Sequence, residues 1–425
     1  MRYLFEMKKK MLLIPKLRFP DYINQKEWDT KSMDTIFNIR NGYTPSKANP
    51  RFWDNGNIPW FRMEDIRLNG HILSDSIQHV TPEAIKGTGL FPAYSIIVAT
   101  TATIGEHALI IVDSLANQQF TFLTKRKSFE KVIDMLYFHY YMFIVDDWCK
   151  KNTNCGGLLS VNMSAFKHLM IPYPIKLSEQ RKIAECLSTI DSYISSINEK
   201  VEQLKAHKKS LLQKLFPQRG QTIPEYRFSD FQKDSAWKKM KLGDVTTVIN
   251  RRNKSNRSLP IYSISNKDGF VLQSEQFDGL DSESRGYDIS LYKIVGRNTF
   301  AYNPARINIG SIGYSGDLKE VLISSLYVCF KTTDELDDEF LICFLKTAQF
   351  NQAVENNVEG GIRSYLFYEN FSRINISLPS LQEQKKIAST ILSIDDVISK
   401  NTNKVSLLND YKKGLMQQLF PTITK

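Results

Sequence analysis

The residues able to do chemistry gather in short polar runs. The densest is Arg251-Arg252-Asn253-Lys254-Ser255-Asn256-Arg257, followed by Asn266 and Lys267. A second group is Tyr302, Asn303, Arg306, Asn308 and Tyr314, and a third is Arg363, Ser364 and Tyr365. The first half carries Arg40, Asn41, Tyr43, Thr44, Ser46 and Lys47, then Thr101 and Thr103 beside Gly105. Asn117, Gln118 and Gln119 come next, with Lys151 and Ser160 on either side of Gly156-Gly157. Lys and Arg neutralise phosphates, whereas Arg, Asn, Gln, Ser and Thr match the hydrogen-bonding edges of bases. Glycines in such loops let a backbone approach a ligand closely. Each residue alone is equally well a solvated loop position, but the clusters together favour contact with nucleic acid. Trp28, Trp60 and Trp237 are expected as core anchors rather than stacking platforms.

The catalytic alternatives find little support. An adenine methyltransferase needs a [DNS]-P-P-[YFW] loop; Asn303-Pro304-Ala305-Arg306 and Asn49-Pro50-Arg51-Phe52 do not fit it. Neither a Gly-rich cofactor loop nor a Walker lysine loop is present. A loose nuclease pattern, Pro20-Asp21 with Asp29-x-Lys31, is unmatched in the second half, where Ser229-Asp230 and Lys238-Lys239 stand in its place. The chain is therefore expected neither to methylate nor to cut DNA alone.

Length and charge agree with a binding protein. The 425 residues suffice for two globular domains with additional structure, and the formal net charge of +11 favours a polyanionic partner. Five cysteines, odd in number and without a CxxC pair, read as buried thiols of a reducing compartment. The six histidines lie scattered, none at metal-ligand spacing. The apolar run Met11–Ile14 after Lys8–Lys10 is far too short for a signal sequence or a membrane helix, so a cytoplasmic protein without membrane attachment is expected.

The elements that must position these loops occur twice. Leu177–Pro217 and Leu381–Pro421 align without a gap, with roughly half of about 41 positions identical. Apolar residues alternate at steps of four and three, from Ile183, Leu187 and Ile190 to Leu215 and from Ile387, Ile391 and Ile394 to Leu419. This is a coiled-coil seam. Each helix should reach on the order of 50 Å. Ser380 and Glu383 fit a capping box, Asn401 in the seam could fix register, and Lys208 and Lys412 are seam residues that packing alone does not explain. The repeat also includes Pro15, Arg18, Phe19, Asp21, Tyr22 and Trp28 against Pro224, Arg227, Phe228, Asp230, Phe231 and Trp237. Short β-like runs and one late helix follow in each half, near 132–148 and 339–351. The expected architecture is α+β: two similar mixed α/β domains and two long antiparallel helices forming an intramolecular coiled coil with pseudo-two-fold symmetry. The expected boundaries are 1–175, 176–217, 218–380 and 381–425. The segment Pro15–Trp28 should dock where the second helix ends.

The twin L-x-E-Q-[RK]-K-I-A openings, the twin L-F-P ends, the two divergent domains and Gly42-Tyr43-Thr44-Pro45-Ser46 with Trp53, Gly56, Ile58-Pro59-Trp60 and Asp65 resemble the specificity subunit of type I restriction–modification enzymes. The resemblance covers nearly the whole chain; only Met1–Met11 has no counterpart in the repeat. It implies two target recognition domains, each reading one half of a bipartite double-stranded DNA site, and helices that set the gap. It also implies a non-catalytic chain that docks methyltransferase subunits, two in number, and restriction/translocase subunits, which use S-adenosylmethionine, ATP and Mg. On that basis Glu179, Gln180, Arg181 and Lys182, with Glu383, Gln384, Lys385 and Lys386, are the docking candidates. Two other readings stand beside it. A specificity chain of another two-subunit restriction–methylation enzyme would differ in its neighbouring genes. A coiled-coil scaffold without a DNA role would show no sequence-selective, salt-dependent binding.

Overall fold

Two helices of equal length, Leu177–Leu215 and Leu381–Leu419, are the longest elements of the computed structural model, which describes residues 14–154, 159–218, 220–277, 279–358 and 365–421. Each is 39 residues, uninterrupted by proline. Every seam position is buried or half-buried while most intervening residues are exposed, as a heptad requires. The chain divides into two compact units, one of residues 1–197 with 404–425, the other of 198–403.

The first unit is built on a five-stranded sheet. Its order is Phe37–Asn41, Phe120–Lys125, Ser95–Ala99, His107–Ile110 and Ile72–Leu73, antiparallel except for the last pair. Ser95–Ala99 is buried at every residue because both faces of the sheet are covered. Ile96 and Val98 join the cluster formed with helix Met135–Lys151, and Ile97 and Ala99 join the cluster beneath Ile58–Phe61, as the two-residue alternation of a strand dictates. Asp134 caps Met135–Lys151, accepting from the Leu136 and Tyr137 amides at 3.0 Å each.

The second unit contains two four-stranded sheets. Thr246–Ile249, Val328–Thr332, Phe300–Tyr302 and Ile312–Tyr314 form one. Gly269–Leu272, Ile261–Ser265, Val321–Ile323 and Lys293–Val295 form the other, with a parallel pair between Ile261–Ser265 and Val321–Ile323. The helix expected near 339–351 is two helices, Asp338–Phe344 and Ala348–Asn357. Thr347 breaks it by capping the second, its hydroxyl accepting from Phe350 N at 3.2 Å.

The repeated frame makes the same joint in each unit. Strand Asp29–Ser32 pairs with Met170–Tyr173, and Lys238–Lys241 with Asn375–Leu378. Arg18 clamps Glu179 with two bonds of 2.7 and 2.8 Å and donates to the carbonyls of Gln25 and Lys26. Arg227 clamps Glu383 at 2.9 and 2.8 Å and donates to those of Asp234 and Ser235. Leu17 N donates to Gln418 O at 3.0 Å, so the first repeated segment docks at the end of the second long helix. Tyr226 N donates to Lys214 O at 2.9 Å in the other unit. Trp28, Trp60 and Trp237 are each 2 % exposed, core residues as expected.

Within each unit the long helices run antiparallel. Ile183, Ala184 and Leu187 pack in one core with Met416, Leu419 and Phe420, and Ile387, Ala388 and Ile391 pack in the other with Leu212, Leu215 and Phe216. The seam lysines are ion-paired across the seam. Lys412 bonds Asp191 in the first unit, and Lys208 bonds Asp395 in the second. Asn401 does not fix register: its amide donates to Val397 O of its own helix at 2.7 Å. Only half of the expected capping box forms, Ser380 Oγ accepting from Glu383 N at 3.3 Å, because the Glu383 carboxylate is taken by Arg227.

Candidate nucleic-acid interface

The basic run of the second unit is a built loop. Asn253 is fully buried and staples it: its Oδ1 accepts from Arg257 N at 2.9 Å, and its Nδ2 donates to Arg257 O at 2.9 Å and Ile289 O at 3.3 Å. Asn253 is therefore a scaffold residue and not a contact residue, a correction forced by its burial. Arg251, Arg252, Lys254 and Arg257 remain exposed. Arg251 and Arg257 both pair with Glu320, Arg257 at 2.7 Å. Hydrogen bonds from Arg257 and then Arg251 hold the Glu320 carboxyl below its ordinary value.

Asn266, Lys267, Asn308 and Tyr314 converge on one cavity of about 690 Å³, lined also by Lys346. Its wall needs glycine: a Cβ on Gly313 would lie 2.9 Å from the Gly269 Cα. The Tyr314 hydroxyl donates to Asp338 at 2.7 Å, and burial pushes its phenol above the ordinary value. Asn303 uses its Oδ1 to accept from Ala305 N, while Arg306 stays exposed. Tyr302 is a second correction. It is wholly buried against Phe371, at 5.3 Å between ring centroids, and its hydroxyl has no partner, so it cannot reach a ligand. Tyr365 is half-buried, stacked on the exposed Phe367 at 5.7 Å. Arg363 and Ser364 lie outside the described residues.

In the first unit the Gly42-Tyr43-Thr44-Pro45-Ser46 run is pinned from several sides. Trp53 Nε1 donates to Ser46 O and Trp60 Nε1 to Tyr43 O, each at 3.0 Å. The Tyr43 hydroxyl donates to Ala84 O and accepts from Lys86 N. A Cβ on Gly42 would meet two backbone carbonyl oxygens at 2.4 Å, which explains its glycine. Thr44 bonds Gln118, while Ser46 and Lys47 are exposed. Arg40 lies 4.6 Å over the Phe91 ring and bonds Thr88 O, and Asn41 accepts from Thr121, so both are tied to their own fold. Thr101 is bridged to Ser160, and Lys151 is exposed at the end of its helix. Thr103, Asn117 and Gln119 line a cavity of about 320 Å³ with Arg62 and Arg67. The latter two were not picked out from the sequence, because they belong to the start and body of helix Met63–Asn69 rather than to a polar loop.

The docking candidates divide. Glu179, Gln180, Glu383 and Gln384 are each no more than 1 % exposed and are corrected to internal positions. The two glutamates hold the arginines. Gln180 accepts from Asp134 N and donates to Val132 O and Pro174 O, and Gln384 repeats this with Asp337 N, Glu335 O and Pro379 O. Arg181, Lys182, Lys385 and Lys386 are exposed.

Three of the histidines that the sequence scatters come together. The rings of His71, His107 and His139 lie 5.3–6.3 Å apart. Burial and the neighbouring His71 push His107 down to about 3, and burial with His107 holds His139 far below its ordinary value. Among the described residues no group of three or more His, Cys, Asp or Glu is arranged to hold a metal ion. Cys149, Cys329 and Cys343 are buried and Cys186 is half-buried, all as free thiols, while Cys155 lies outside the described residues. No described helix is long and apolar enough to cross a membrane.

Comparison with known proteins identifies this frame. The chain is 23 % identical over 414 residues to the MjaIX type I restriction enzyme specificity subunit of Methanocaldococcus jannaschii, spanning 93 % of each. It is 47 % identical over 174 residues to the EcoprrI specificity subunit of Escherichia coli, a match spanning 41 % of this chain and 42 % of that relative. The fold is similar to the crystal structure of a type I restriction–modification S subunit from M. genitalium, with a TM-score of 0.58 at 16 % identity over 96 % of this chain and 100 % of that one. The type I restriction modification DNA specificity domain matches twice, over residues 25–206 and 234–408, and on that duplicated match the chain belongs to the family of type I restriction–modification specificity subunits.

Proposed function

We propose that the chain reads an asymmetric, two-part duplex DNA site, one half through each unit, and directs adenine methylation and restriction carried out by partner subunits. The carrying observation is the duplication itself: one specificity domain in each half, on the same Arg–Glu joint, with different loops between. Different loops on equal frames imply different half-sites. The net charge of +11 and the exposed Arg251, Arg252, Lys254 and Arg257 suit phosphate contact.

The chain itself is non-catalytic in this reading. Two methyltransferase subunits would dock through the exposed Arg181, Lys182, Lys385 and Lys386, and restriction/translocase subunits would complete the assembly in the cytoplasm. S-adenosylmethionine, ATP and Mg would be used by those partners and not bound by this chain.

Exchange of residues 20–170 for those of a relative, followed by methylome sequencing of cells carrying the chain and its partners, tests the reading. One half of the methylated motif changes and the other stays. An unchanged motif, or loss of both halves with the protein still folded, contradicts it.

A further inference from the structure

We propose that Glu320 is a built-in stand-in for a DNA phosphate, holding Arg251 and Arg257 converged until a phosphodiester of the duplex backbone displaces it. The inference rests on the DNA-reading function proposed above. Both guanidiniums meet one carboxylate, one on each oxygen. A phosphodiester offers two anionic oxygens to the same donors, and guanidinium forks suit either anion. The triad is accessible, with side-chain exposures of 58 % for Arg251, 42 % for Arg257 and 35 % for Glu320. Ion pairs so exposed contribute little net stability, so an incoming phosphate can compete. The fork is nevertheless shaped before binding. Buried Asn253 ties the loop to Ile289, Asn253 N donates to Tyr292 O, and Ile294 N donates to Arg251 O at 2.7 Å. Held this way, Glu320 lowers affinity for duplex DNA of any sequence, because every phosphate must first separate it from the arginines.

The test measures affinity of the full chain for a mixed-sequence DNA duplex against salt concentration. E320Q is expected to bind about three- to tenfold tighter at low salt, with a slope of log K against log salt steeper by about one. The double variant R251Q/R257Q binds more weakly with a shallower slope, and adding E320Q to it changes nothing more. E369Q removes the same charge from an exposed pair with Arg373 elsewhere in the unit and serves as control. E320Q indistinguishable from wild type, or weaker, overturns the proposal, as does an equal gain from E369Q, which would reduce the effect to net charge. A wild-type chain without salt-dependent DNA binding overturns the function proposed above and this inference with it. Wild-type binding with an inert E320Q overturns this inference alone.

Discussion

Lys412 of the second long helix donates to both carboxylate oxygens of Asp191 in the first, at 2.6 and 2.8 Å, and the Tyr140 hydroxyl donates to the same carboxylate at 2.8 Å. Lys208 and Asp395 repeat the pair in the other unit, where Lys346 reaches Asp395 at 3.5 Å. Each pair links the seam to the body of its unit and replaces an apolar layer by a charged one. The Asp191→Ala chain should lose about 2 kcal/mol, the cost of leaving a largely buried ammonium without its hydrogen-bonded partner. A double cycle with Lys412→Met, read from urea midpoints, should give a coupling energy above about 0.5 kcal/mol; additive effects would mean that the pair is not coupled.

The Arg–Glu joints should matter more. Arg227 and Glu383 expose 8 % and 1 % of their side chains. The bond to Glu383 raises the Arg227 guanidinium above its ordinary value. Glu383→Ala strands that guanidinium and should cost about 3–5 kcal/mol, seen as an early unfolding step in denaturant. Reversing the charges of Arg181 and Lys182 should leave stability within about 0.5 kcal/mol while reducing co-purification of methyltransferase subunits. Retained co-purification would remove these two residues from the docking surface.

Acid should destabilise the first unit before carboxylates are titrated. Unfolded His107 and His139 take up protons below about pH 6.5, whereas folded His107 resists protonation down to about 3, because its ring is buried beside His71. The unfolded state thus binds more protons in that window. Stability is complete above about pH 6.5 and falls by about 1.4 kcal/mol per pH unit for each such histidine as pH drops towards the folded value. His139→Phe should flatten the dependence in a pH series of thermal unfolding, and an unaltered slope would exclude His139 as a source.

The two buried residues, Tyr302 and Asn253, should respond differently to substitution. Tyr302→Phe removes a buried hydroxyl that has no partner, so stability should hold or rise by up to about 1 kcal/mol with DNA affinity unchanged. Asn253→Ala removes three hydrogen bonds from the loop and should lower both stability, by about 2 kcal/mol, and DNA affinity, the latter through disorder of Arg251 and Arg257. Tight binding by Asn253→Ala would show that the loop needs no preorganisation.

What the sequence showed best was periodic. Two uninterrupted heptad runs bounded by proline became two 39-residue helices, and the apolar run Ser95–Ala99 became a strand buried on both faces. What it concealed was long-range. Glu179 and Gln180 resemble an exposed helix face until Arg18, 161 residues away, and Asp134 come to meet them. Asn253 and Arg252 are alike as polar loop residues, and only the approach of Ile289 and Tyr292 separates the buried staple from its exposed neighbour. Glu320, an acid within a basic site, could not be assigned from composition at all.

The Arg18–Glu179 and Arg227–Glu383 clamps span 161 and 156 residues, but one backbone contact beside them differs in the length of chain that closes it. Tyr226 N reaches Lys214 O across a turn, whereas Leu17 N reaches Gln418 O from the other end of the sequence. Closing about four hundred residues rather than about a dozen costs roughly 3 kcal/mol more in chain entropy, at about 0.6 kcal/mol per doubling of loop length. During synthesis the Tyr226–Lys214 contact can form as soon as Tyr226 is made, while Leu17 waits for Gln418. The identical contact is therefore the later to form and the earlier to fray in the first unit, and amide exchange at Leu17 should outpace that at Tyr226.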